Sequence, residues 1–148
     1  MNGSTSGAIP HLFTEVIESD FLHIRDVSLD TDWRRQEFSV TPEKGRGPFG
    51  MNYTIESVVS NPISNHSQWD GPVINGPGAG LQLMIDSGLP VNGYIKTAQM
   101  NSAREDLLWG TYRAGLKLTN VPGTCASFFW VGDQHLLLLI QRLIHLVL

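Results

Sequence analysis

Residues Leu108 to Thr119 read LWGTYRAGLKLT. Even positions hold Leu108, Gly110, Tyr112, Ala114, Leu116 and Leu118, while odd positions hold Trp109, Thr111, Arg113, Gly115, Lys117 and Thr119. Successive side chains of an extended chain point to opposite faces, so this period of two predicts a strand with one apolar and one mainly polar face. Val121-Pro-Gly-Thr follows, and Gly123 suits the third position of a turn that needs positive φ. Cys125-Ala-Ser-Phe-Phe-Trp130 then predicts a second strand, antiparallel to the first.

Upstream, short strand-like runs alternate with turn clusters in the manner of an all-β sandwich. Phe38-Ser-Val-Thr ends at Pro42, and Tyr53 to Val59 is a run closed by Asn61-Pro62. Asp70 to Gly80, DGPVINGPGAG, reads as a long turn region. Beyond it, Gly80-Leu-Gln-Leu-Met-Ile-Asp would set Leu81, Leu83 and Ile85 on one face of a strand. Pro90-Val-Asn-Gly-Tyr carries the Asn92-Gly93 turn signal. The one helix expected before the C-terminal stretch is a short one near Ser102 to Leu107.

A chain of 148 residues has room for one modest domain. Charged residues are 16% of it, against roughly 25% in ordinary soluble domains. That scarcity, with 41% apolar residues, excludes a coiled coil and a charge-rich disordered segment. A net charge of −4, with ten Lys and Arg spread along the chain and no basic run longer than Arg34-Arg35, argues against nucleic acid as a partner. Cys125 is the one cysteine, so no internal disulfide can form, and it is expected to be a small buried hydrophobe. The opening MNGSTSGAIPHLF has neither the basic nor the apolar region of a signal peptide. Asn2, Asn52 and Asn65 each begin an Asn-x-Ser/Thr glycosylation triplet.

Leu136 to Leu148, LLLLIQRLIHLVL, has ten apolar residues in thirteen. A membrane span needs about 18 or more, so no span is expected. The stretch predicts a short apolar helix or an unstructured tail, unlike the residues before it.

Motifs for cofactor chemistry are weak. Gly45-Arg-Gly-Pro-Phe-Gly50 matches Gly-x-Gly-x-x-Gly, but a strand-like MNYTIE follows where a phosphate-binding helix should begin, so it reads as a loop and no cofactor is expected. His11, His23, His66, His135 and His145 show no metal-ligand spacing, so no metal is expected. Glu15, Glu18 and Asp20, with Asp30 and Asp32, read as solvated loop and edge charges. Trp109, Phe128, Phe129 and Trp130 are either core residues or a stacking surface for sugars, and Trp109 stands out because it interrupts a polar face.

The run Trp109-Gly-Thr-Tyr-Arg-Ala-Gly-Leu-Lys-Leu-Thr, then Pro122-Gly-Thr-Cys-Ala-Ser-Phe-Phe-Trp130, resembles glycoside hydrolase family 16. Leu12-Phe-Thr-Glu, Asp30-Thr-Asp-Trp-Arg-Arg-Gln-Glu-Phe, Gly80-Leu-Gln-Leu and Asn101-Ser-Ala-Arg-Glu-Asp-Leu-Leu-Trp are similar to a fungal branch of that family, in the same order. The resemblance spans roughly residues 12–130. It implies a concanavalin A-like jelly roll of antiparallel strands, acting outside the cell or at its wall on β-glucans and related polysaccharides, with retention. Retention needs two carboxyl groups about 5–5.5 Å apart. The family supplies them from a strand Glu-[Ile/Leu/Val]-Asp-x-Glu, due just after Trp130. Here residues 131–148 contain no Glu and one acid, Asp133. Residues 1–130 therefore read as the N-terminal part of a family 16-like sandwich, truncated before the catalytic strand, and 131–148 as a tail foreign to it.

The resemblance leaves the catalytic set empty. It implies glucan-contacting roles for Trp109, Arg113 and Lys117 on the odd face, and for Phe129, or Trp130 if the parity is reversed. The expected protein is an inactive, aggregation-prone piece of a hydrolase whose partner, if any, is a β-glucan-like polysaccharide. One rival is a lectin-like remnant that holds glucan without cutting it; another is a residual hydrolase using Glu105 or Asp106.

Overall fold

Asn92 and Gly93 both adopt positive φ, 53° and 81°. Two such residues make the tight turn whose twist suits a hairpin, and Val91 and Tyr94 close it with backbone hydrogen bonds of 2.9 and 3.0 Å. The turn launches Tyr94–Ser102, the longest strand and the one around which the sheet is built.

The computed structural model describes residues 15–43, 47–76, 78–86, 89–107, 110–131 and 135–142. Its strands are β1 (Trp33–Arg35), β2 (Phe38–Val40), β3 (Gly50–Tyr53), β4 (Val58–Asn61), β5 (Gly80–Leu83), β6 (Tyr94–Ser102), β7 (Thr124–Val131) and β8 (His135–Arg142). Among the described residues the helical content is two single-turn 3₁₀ helices, Val27–Leu29 and Ile55–Ser57, and the fold is all-β. The larger sheet runs β2-β3-β6-β8-β7, with β1 also on β6, and β4 pairs β5 in a separate ribbon. No helix among the described residues is long and apolar enough to cross a membrane.

Strand parity places the core. Ala98 and Met100 of β6 are fully buried and pack with Val27 and Val58, joined by Trp33, Leu81, Leu83 and Phe128. Leu81 and Leu83 thus share the face expected of them. Met51 and Tyr53 of β3 stand opposite Ile95 and Thr97 of β6 and form a second cluster with Val40. Removing a buried side chain the size of Met100 costs about 2–5 kcal/mol.

One buried polar side chain fixes a loop. Asn61 is fully buried; its Nδ2 donates to Gly78 O at 2.8 Å and its Oδ1 accepts from Asn75 N at 2.8 Å. Leaving either group unpaired would cost about 1–3 kcal/mol, so Asn61 holds the Gly- and Pro-rich segment against β4.

The structure corrects several expectations. Residues 110–121 form no strand, despite the period of two. Alternation makes a segment fit for a sheet, but a strand also needs a hydrogen-bonded neighbour; β7 pairs with β8 instead, from Thr124↔Arg142 to Val131↔His135. Residues 135–142, expected as helix or loose tail, are strand β8, paired to β6 on one edge and β7 on the other. A continuous apolar run reads equally as helix or buried strand, and here the two free edges decide. Ser102 ends β6, and residues 103–107 form no helix. The β3–β6 pair is parallel, so the sheet is mixed rather than wholly antiparallel. Tyr53–Val59 is split between β3, a 3₁₀ turn and β4.

Gly50 marks the tightest approach in the sheet. A Cβ there would lie 2.5 Å from Cδ1 and Cε1 of Tyr94 and 2.8 Å from Val40 O. Gly50→Ala is expected to destabilise the fold by roughly 1–3 kcal/mol in urea unfolding. Gly115→Ala, where nothing lies within 4 Å, should stay within about 0.5 kcal/mol of the parent. Equal effects would show that the β3–β6 contact is looser than described.

Candidate functional site

A cavity of about 1140 Å³ lies between residues 15–22, 78–84 and 110–117, with Trp33 and Phe128 in its lining. Trp33 arrives on β1, in register with Ser102 of β6. Its Nε1 donates to Ser19 Oγ at 2.9 Å, and its ring lies 6.3 Å from that of Phe21. Phe128 comes from the opposite edge of the sheet on the same face, paired with Leu138 of β8, which stands opposite Met100 of β6. Tyr112, Arg113 and Lys117 contribute from the irregular segment; Tyr112 is half-buried, Arg113 and Lys117 exposed.

The acids of the cavity are Glu15, Asp20, Asp32 and Asp106. Arg104 grips Asp106 as a fork, Nε to Oδ1 at 2.8 Å and Nη2 to Oδ2 at 2.7 Å, and its Nη1 donates to Glu15 Oε1 at 2.5 Å. These bonds hold the Asp106 carboxyl below the usual carboxylate range and raise the guanidinium further. An acid so clamped is ionised, the wrong state for donating a proton to a leaving group. Asp30 Oδ1 accepts from the backbone N of Asp32 and of Trp33, at 2.8 and 2.9 Å, and so folds the turn that leads into β1. Glu105 is exposed and does not line the cavity.

Of the residues singled out from the sequence, Arg113 and Lys117 do meet the cavity. Trp109 lies outside the described residues, as do Asn2, His11 and His145. Phe129 is 38% exposed on the face of β7 opposite Phe128 and is not in the lining, so the parity expected for this strand is reversed. Trp130 belongs to β7, but its side chain is outside the described set. Cys125 is half-buried rather than buried. Asn52 sits half-buried in β3 with its Oδ1 accepting from Ser39 Oγ at 2.9 Å, whereas Asn65 is exposed at a loop tip. Gly47 to Gly50 leads directly into β3, as a loop and not a helix start.

No protein-family model, curated protein or solved structure matches this chain. Its chemistry therefore stands on the residues themselves. Among the described residues no three His, Cys, Asp or Glu side chains gather as a metal ion would need.

A second group of side chains, which pattern reasoning missed, forms beside the cavity. His23 Nδ1 donates to Asp20 Oδ2 at 2.5 Å, and its Nε2 faces Gln68 O at 3.1 Å. The His23 ring stacks on His66 at 5.9 Å and meets Trp69 edge-on at 5.3 Å, while Arg25 Nε donates to His66 Nε2 at 2.8 Å. The contributing positions are more than 40 residues apart, so no local spacing could announce them. The one available signal was a tryptophan in a polar loop, Gln68-Trp69-Asp70.

Both ring nitrogens of His23 face acceptors, a setting that favours the imidazolium, and the hydrogen bond to Asp20 raises its pKa above the ordinary value. The other charged or titratable groups near the ring are His66 and, through it, Arg25. A raised pKa adds stability that is complete below the unfolded value, near 6.5, and fades as pH climbs through the folded one. On the acid side, Asp26, Glu56 and Asp106 are all lowered, so their contribution disappears as pH falls through their folded values. Between parent and His23→Gln, the difference in melting temperature is expected to be largest near pH 5.5 and to shrink by pH 8.5. A difference independent of pH would place the contribution of His23 in packing alone.

Proposed function

We propose that this chain is a family 16-like β-sandwich protein without catalytic activity, whose remaining capacity is to hold a β-glucan-like polysaccharide in the large cavity. One observation carries this reading: aromatic Trp33, Tyr112 and Phe128 share a single space with the hydrogen-bonding groups Arg113 and Lys117. A pyranose offers C–H faces to rings and hydroxyl edges to charged or amide groups, and such a lining suits both. At about 1140 Å³ the space exceeds the ~300–1,000 Å³ common for small-ligand pockets, in keeping with a chain of several sugars.

The absence of catalysis rests on the carboxylates. Asp106 is committed to Arg104, and residues 131–148 hold no Glu. A retaining glycosidase divides two roles between two carboxyl groups, and general acid–base transfer alone supplies about 10²–10⁴-fold.

Two measurements test the proposal. Titration calorimetry with β-1,3- and β-1,4-linked gluco-oligosaccharides should detect binding, weakened about tenfold in Arg113→Ala if one charge-assisted hydrogen bond is lost. Reducing-sugar release from either glucan should stay at background. Turnover abolished by Asp106→Asn or Glu105→Gln would overturn the non-catalytic reading, and absence of binding to every glucan would overturn the sugar-binding one.

A further inference from the structure

Trp69 is 71% exposed, although it sits on a loop braced at both stem and tip. The stem of the loop is closed by an Ile63↔Val73 bridge and by backbone bonds from Ser64 N to Pro72 O at 2.8 Å and Ile74 N to Pro62 O at 3.2 Å. Its tip is folded by Asn65, whose Oδ1 accepts from Ser67 N at 3.1 Å and Ser67 Oγ at 2.7 Å, and whose carbonyl accepts from Gln68 N at 3.2 Å. The indole itself is steadied on one side by the edge-on His23 ring, at an interplanar angle of 84°. Asp20 and the Gln68 carbonyl fix that imidazole in turn. A large apolar ring is thus held in place while most of it stays in water.

Such an arrangement forgoes the stabilisation that burying an aromatic side chain brings, on the order of 1.5–3 kcal/mol. It leaves an oriented flat surface free for a ligand. The surroundings narrow what that ligand can be. Asn65, His66, Ser67 and Asp70 are all exposed nearby in sequence and border Trp69 with polar groups on its outer side, while Leu22, Ile63, Pro72 and Val73 line the cavity beside it. A smaller cavity of about 690 Å³ adjoins it, lined by Trp69, Asp70, Pro72 and Lys117 among others. Leu22, Gly78, Ala79 and Lys117 line both this cavity and the large one, so an extended ligand leaving the large cavity over these residues reaches Trp69.

We propose that Trp69 is a second sugar platform, on which a neutral pyranose ring stacks its C–H face while its hydroxyls bond to Asp70 and Lys117. It extends the large cavity into a track for one polysaccharide chain, and to that extent it rests on the sugar-binding reading above. The ring supplies dispersion and apolar burial, and the flanking carboxylate and ammonium read the hydroxyl edge.

The test follows the tryptophan indole N–H resonances of the 148-residue protein, with binding measured for a β-1,3-linked glucose disaccharide and hexasaccharide. The hexasaccharide should shift the Trp69 resonance, assigned as the signal missing from Trp69→Phe. Trp69→Ala should weaken hexasaccharide binding about tenfold and leave the disaccharide, which is too short to span both cavities, unchanged. Trp69→Phe, which keeps an aromatic face, should bind within about threefold of the parent and guards against a mere folding defect. Hexasaccharide binding unchanged in Trp69→Ala but weakened in Arg113→Ala overturns the platform and leaves the large-cavity reading standing. Loss in Trp69→Ala with no effect of Arg113→Ala keeps Trp69 as a sugar platform but overturns the continuous track through the large cavity. No binding by the parent protein overturns both.

Discussion

The backbone of β6 is occupied along both edges, and the rest of the sheet takes its position from that fact. β3 pairs its first half, while β1 and β8 pair its second half on opposite sides. Further bonds continue the ladders beyond the strands, from Gln36 N to Gln99 O at 3.0 Å, Thr54 N to Thr97 O at 3.2 Å and Asp86 N to Lys96 O at 3.1 Å. Ala98 and Met100 are fully buried on one face, so a strand with an unbonded polar group here would bear the full desolvation cost. The same ladders build the cavity. Arg35, Met100, Leu138 and Phe128 form one row across β1, β6, β8 and β7, and Trp33 lies two residues from Arg35 on the same face. Two aromatic side chains nearly 100 residues apart in sequence reach one space because a single strand bonds on both sides.

The loops near the cavity depend on polar anchors instead. Asn61 pins Asn75 and Gly78 from within the core, and His23 ties the Asp20 turn to the loop bearing Trp69. These anchors differ in kind. The Asn61 contacts are buried and insensitive to pH, whereas the His23 contact strengthens on protonation. Acidification within the range where the carboxylates stay ionised therefore tightens the loop that carries Trp69 while leaving the Gly-rich segment as it was.

Local chemistry was legible in the sequence and long-range pairing was not. Asn92-Gly93 and Pro122-Gly123 announce their turns because positive φ is a property of the residues themselves, and both glycines take it, at 81° and 82°. Gly80-Leu-Gln-Leu and Phe38-Ser-Val are strands, ending at Leu83 short of the Ile85 read into the first and at Val40 short of the Thr41 read into the second. Cys125 to Trp130 is a strand as read, though its partner is β8 and not residues 110–119. β6 escaped notice because its middle is buried on both faces; Thr97, Ala98, Gln99 and Met100 are all below 9% exposure, which erases the alternation. Residues 110–121 had the alternation without a partner, and 135–142 had partners without it. Arg113 and Lys117 were found as candidates because they share a face in the pattern. Trp69 and His23 were missed because their association depends on a turn and a loop brought together from distant parts of the chain.

The place of β8 also bears on the order in which the molecule can assemble. β6 is complete once residue 102 has been made, but its second edge is filled only by residues 135–142. On the ribosome, about 2–8 s separate the two at about 5–20 residues per second. During that interval β6 presents an unfilled row of amides and carbonyls, open to any extended segment nearby. The β7–β8 hairpin, whose register joins residues four apart at Val131↔His135, can close on itself as soon as it emerges and then dock as a unit. A chaperone that covers one strand edge for a few seconds would thus govern yield without touching the stability of the finished fold.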